Sequence, residues 1–139
     1  ATLARMTSRI AHTTVDARNA HDQSHWWSEV LGWSQDPEDP NLPGHEECMI
    51  FSPDGRQRVL FIEVPEGKST KNRLHFDLTP TDRTRDEEVD RLLAHGAVMH
   101  QDLRTPEGGW ATLRDPEGNE FCVLRSDSER PDPYAHLVS

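Results

Sequence analysis

The chain states one pattern twice, and that repetition limits its fold more than any other feature. Residues 9–33, RIAHTTVDARNAHDQSHWWSEVLGW, and residues 73–98, RLHFDLTPTDRTRDEEVDRLLAHGAV, each open on a short alternating segment carrying a histidine. Both then pass through polar turn residues into a helical pattern that stops at a glycine. His12 precedes Gly32 by 20 residues and His75 precedes Gly96 by 21. In the first helix Trp26, Trp27, Val30 and Leu31 make one apolar stripe, Asn19 is a suitable N-cap and Gly32 a left-handed stop. In the second, Thr84 with Glu87 three residues on spells a capping box, and Val89, Leu92 and Leu93 form the buried stripe.

Strand-like runs joined by Pro-Gly turns follow each helix: ECMIFSPDGRQRVLFIEV (47–64) and GWATLRDPEGNEFCVLRS (109–126). Each half therefore reads as strand, helix, then three antiparallel strands. Two such βαβββ modules, residues 9–64 and 73–126 with a linker at 65–72, predict an α+β domain. Its eight strands are expected to curve into one mixed sheet, with the helices on the outer face and a cleft inside. Alternation along the first strand of each half places Leu74, Phe76 and Leu78 against a helix, with His75 and Asp77 facing the cleft. Likewise Ala11, Thr13 and Val15 face a helix while His12, Thr14 and Asp16 look inward. Residues 1–8 are expected to be a leader or irregular start, and 127–139 an irregular tail.

Composition narrows the function classes. A net charge of -10 repels phosphates and argues against nucleic acid. No apolar run is long enough to span a bilayer, and no secretion pattern opens the sequence. Only Cys48 and Cys122 are present, so a disulfide scaffold is not indicated and a cytoplasmic setting is expected. The 33% hydrophobic content is lean, which suits a small soluble domain with many loops or one that completes its core by pairing with another copy.

Three segments, HWWSEVLGW (25–33), VPEGKSTKNRLHFDL (64–78) and DPEGNEFCVL (115–124), give the chain a resemblance to the vicinal oxygen chelate superfamily of glyoxalase, bleomycin-resistance and extradiol dioxygenase proteins. It covers about residues 9–126 and is strongest for the glyoxalase-like subgroup. The resemblance implies paired βαβββ modules, frequent homodimers and a cleft for a small molecule, with the halves paired within one chain or across a dimer. In metal-using members, inward positions on the first and last strand of each half hold a divalent ion. Carried over, these are His12, Glu63, His75 and Cys122, a donor set that Zn²⁺, Ni²⁺, Fe²⁺ or Mn²⁺ would accept. Cys122 stands where a glyoxalase I has Glu, which counts against the lactoylglutathione reaction and against an extradiol oxygenase.

Each of these residues also has a plainer reading. His75 and His12 could be ordinary strand histidines, Glu63 a solvated strand end, and Cys122 a buried small apolar residue. Glu120 could serve as a general base or lie in water at the hairpin mouth. Asp77 could hold a histidine tautomer or form a surface pair with Arg73. Trp110, in a loop before a strand, could cover a ligand, and DPEDPNLPGHEE (36–47) reads as a loop beside the cleft mouth. His21, His25, His45, His95, His100 and His136 show no convergent partner and carry no assigned role. The expectation is a metal-dependent enzyme that stabilises an oxyanion in isomerase, lyase or ring-opening chemistry. The alternative is a metal-free protein that sequesters an antibiotic or metabolite.

Overall fold

A computed structural model describes residues 7–138 and divides the chain into two compact units at Gly67–Lys68. The start expected over residues 1–8 lies outside the described residues as far as residue 6, and Thr7 and Ser8 belong to no regular element.

The first unit contains β1 (Thr13–Ala17), α1 (Ala20–Leu31), β2 (Glu47–Phe51) and β3 (Arg58–Glu63), in the sheet order β1-β3-β2. Strand β1 runs parallel to β3, and β2 antiparallel to it. The ends of α1 follow local chemistry. The Asn19 side chain accepts the Asp22 amide at 3.0 Å, and Gly32 closes the helix at φ 68. Trp26, Trp27 and Val30 are buried, as are Cys48, Ile50, Val59 and Phe61. In-register partners on neighbouring strands point to one side of a sheet. Cys48 with Phe61, and Ile50 with Val59, therefore share a single face, the side that α1 covers.

The second unit contains β4 (Asp77–Leu78), α2 (Arg85–Ala94), β5 (Val98–Asp102), β6 (Ala111–Arg114) and β7 (Glu120–Val123), in the order β4-β7-β6-β5. The Thr84–Glu87 capping box forms in both directions, at 2.9 and 3.2 Å. Val89 and Leu92 of α2 are fully buried together with Ala111, Leu113, Phe121 and Val123. The DPEG turn is organised by the Asp115 carboxylate, which accepts the amides of Glu117 and Asn119, each at 2.9 Å.

The α+β architecture stands, but the strands form two sheets, of three and four strands, in place of the one expected, and number seven among the described residues in place of eight. The strand missing from the first unit survives as a single bridge. Ser34 donates to Phe51 at 3.0 Å and accepts from it at 2.8 Å, on the side of β2 that corresponds to β5 beside β6. Pro37, Pro40 and Pro43 follow closely, and without amide hydrogens they cannot extend a ladder. Strand β4 is also shorter than the expected 73–78. Its parallel register sets Asp77 beside Cys122, so residues before His75 would lie opposite the DPEG turn and find no ladder partner. Leu74, expected against a helix, is 86% exposed in a bend.

The tail expected to be irregular begins with a built turn. Glu129 Oε1 accepts the amides of Ser126 at 3.0 Å and Arg85 at 2.6 Å, tying the tail to the first residue of α2. Residues Ala135–Leu137 form one 3₁₀ turn.

Candidate functional site

Chemistry-bearing side chains converge on the β4–β7–β6 face that α2 leaves uncovered. Phe121 and Val123 point to the helix side, so alternation sends Glu120 and Cys122 to the other. The parallel register places Asp77 with Cys122, and His75 two residues earlier shares that face. His75 Nε2 lies 3.2 Å from Asp77 Oδ1, with both side chains substantially exposed. The ligand atoms of His75, Asp77 and Cys122 all fall within 4.8 Å of one another. Across the hairpin, Thr112 Oγ1 is 3.4 Å from Cys122 Sγ.

Cys122 is a thiol in this setting. Burial pushes it above the usual cysteine range, and the Asp77 carboxylate adds to that against the opposing Thr112 hydroxyl. Glu120 is 5% exposed, not in water at the hairpin mouth. Lys68 Nζ lies 2.8 Å from Glu120 Oε1 and 2.7 Å from Oε2, although only Oε1 receives a well-directed hydrogen bond. Burial alone would raise the Glu120 carboxyl, but the Lys68 ammonium, helped by the Glu120 and Asn72 amides, overrides it and the group sits below its usual range. A carboxylate held low in this way accepts a proton weakly. Beside it, Asn72 donates to Asn119 at 3.3 Å, so residues 68–72 are anchored to the mouth of the β6–β7 hairpin.

His12 and Glu63 are not brought together in the first unit. The register pairs Thr13 with Val59 and Ala17 with Glu63, so Glu63 shares the helix-covered face with Val59 and Phe61. His12, one residue before Thr13, points to the opposite face and sits roughly 16 Å away along the ladder at about 3.3 Å per residue. The residues of β3 on the His12 face are Arg58, Leu60 and Ile62, none of them a metal ligand. Both His12 and Glu63 are exposed.

The second-unit trio is a different donor set from the one carried over. It gains Asp77 and consists of an imidazole, a carboxylate and a thiol, which zinc accepts. The two exposed members can close the spacing around an ion, and Cys122 would release its proton on binding. The donor chemistry therefore fits a divalent ion.

Trp110 stands immediately before β6 and is 42% exposed. Its loop is held from beneath by Arg85, itself 5% exposed. The Arg85 guanidinium donates to the carbonyls of Gly108 at 2.6 Å, Thr105 at 3.2 Å and Gly109 at 3.3 Å.

Two further contributors, Thr112 and Lys68, were not singled out from the sequence. Thr112 was accessible by counting outward from the DPEG turn, since Arg114 pairs with Glu120 and Thr112 with Cys122. Lys68 is 52 residues from Glu120 and carries no sequence signal for that contact.

The fold has many solved counterparts. The fosfomycin resistance protein FosX from Mesorhizobium loti is similar at a TM-score of 0.65, with 16% identity over 96% of this chain and 100% of that one. A glyoxalase family protein from Bacillus cereus aligns at 0.62 with 18% identity, over 91% of this chain and 99% of that one. A lactoylglutathione lyase from Agrobacterium tumefaciens aligns at 0.57 with 20% identity, over 86% and 95%. No curated protein sequence matches the chain. The glyoxalase-like domain profile matches residues 12–124, and the chain accordingly belongs to the glyoxalase-like domain family, within the vicinal oxygen chelate superfamily.

Proposed function

We propose that the protein is a small-molecule enzyme of isomerase, lyase or ring-opening type. Its chemistry would be centred on His75, Asp77 and Cys122, which hold a divalent ion, zinc by the presence of the thiol. The observation that carries this reading is the convergence of the three ligand atoms within 4.8 Å of one another. When bound, such an ion acts as a Lewis acid on a substrate oxygen. The chain's own groups supply the setting. His75 and Asp77 are open to an incoming ligand, Thr112 orients the Cys122 sulfur, and the Lys68–Glu120 pair closes one side of the face. Glu120 serves here as the anchor for Lys68, and His12 and Glu63 take no part in the trio. The protein works as a homodimer, as the family resemblance implies, and in the cytoplasm, as its two cysteines without a disulfide framework suggest.

Natively purified protein should carry about one metal equivalent per chain. His75→Ala and Asp77→Asn should each abolish it, while Glu63→Gln leaves it intact. Metal content indifferent to His75 and Asp77 sinks the reading.

One observation favours a second reading, metal-free sequestration: a rigidly held Trp110 with 42% of its surface exposed suits stacking on a flat ligand. In that case an aromatic ligand quenches Trp110 fluorescence and chelator makes no difference.

A further inference from the structure

We propose that His21 and His25 on α1 form a second divalent-metal site, separate from the His75 trio and independent of the function proposed above. The two are four residues apart on one helix and so stand on the same face, one turn above the other. Their rings are already together, with centroids 4.3 Å apart and planes tilted by 45°. The His21 side chain is 20% exposed, and its Nδ1 lies 2.9 Å from Asp22 Oδ1. The carboxylate is itself held, since Asn19 Nδ2 donates to Asp22 Oδ2 at 3.0 Å. A carboxylate on one imidazole nitrogen fixes the tautomer and the ring orientation, the arrangement that supports metal-binding histidines. His25 Nε2 lies 3.4 Å from the Asn41 carbonyl, a long contact that leaves Nδ1 open.

Each ring therefore has one nitrogen engaged by the protein, and the two rings lie against each other. Two imidazoles with water completing the shell are a donor set for Ni²⁺, Cu²⁺ or Zn²⁺. The positive N-terminal end of α1 opposes a cation there, and Asp22 on the His21 ring counters it. With two protein donors on an open surface, the site is a labile one that exchanges its ion readily.

The test uses the full-length, untagged chain carrying His75→Ala and Asp77→Asn. That background removes the other donor cluster, so this outcome does not depend on the proposed function. Calorimetric titration with Ni²⁺ should show one equivalent bound. Adding His21→Ala or His25→Ala should abolish it, and Asp22→Asn should weaken it about tenfold. Circular dichroism of each variant establishes that α1 is intact. Ni²⁺ binding that persists unchanged in the His25→Ala chain, or no binding up to millimolar ion, overturns the proposal.

Discussion

Glu120 is a carboxylate almost without water, answered by one ammonium, and its position in the second unit depends on that pairing. The Lys68 contact keeps its folded pKa below the unfolded value near 4.5. The pair therefore contributes stability above that value, and the contribution is lost as pH falls through the lower folded pKa. Lys68→Met would strip the buried carboxylate of its ammonium partner, at a cost of about 3 kcal/mol at neutral pH. In that variant burial is opposed only by the backbone amides of Glu120 and Asn72, so the carboxyl rises and protonation relieves the strain. Urea denaturation should show the Lys68→Met penalty shrinking as pH is lowered from 7 towards 5. A penalty that is constant with pH would mean that Lys68 acts through packing and not through charge.

At the scale of the elements, the loop before β6 is tightly constrained by its backbone. Gly109 has φ +74, and a Cβ there would sit 2.0 Å from the Leu103 carbonyl oxygen. Gly32, with φ +68 at the end of α1, has nothing within 4 Å of the same atom. Gly32→Ala should cost about 1 kcal/mol, the left-handed penalty alone. Gly109→Ala should cost about 3 kcal/mol or more, because main-chain atoms must also move. Thermal denaturation of the two variants should preserve that order. Arg85→Gln breaks the guanidinium's contacts with three carbonyls of this loop. It should loosen Trp110, read as a rise in its fluorescence quenching by acrylamide.

Across the whole molecule, the two halves repeat one topology with unequal completeness. In the second, β4-β7-β6-β5 is a full four-stranded sheet; in the first, β1-β3-β2 ends in the Ser34 bridge. Among the described residues no helix is long and apolar enough to cross a membrane. Sedimentation should report twice the chain mass if the proposed homodimer forms, with a stable interface burying about 1,200–2,000 Å². A chain that stays monomeric at high concentration would remove the dimer from the proposal.

What the sequence determined by itself was local: the repeated strand–helix–hairpin order, the Asn19 and Thr84 caps, the Gly32 stop and the SPDG and DPEG turns. Each depends on backbone groups a few residues apart, so the short-range pattern suffices. Tertiary structure decided which face each strand shows. RVLFIE is apolar at four consecutive positions, 59–62, so its alternation has no phase until α1 covers one side. That packing put Glu63 with Val59 and Phe61 and away from His12. The same holds for β4, whose length is set by where β7 begins, and for the Lys68–Glu120 pair, joined across 52 residues. Burial and strand register are properties of the assembled chain, and only the assembled chain could bring Asp77 to Cys122.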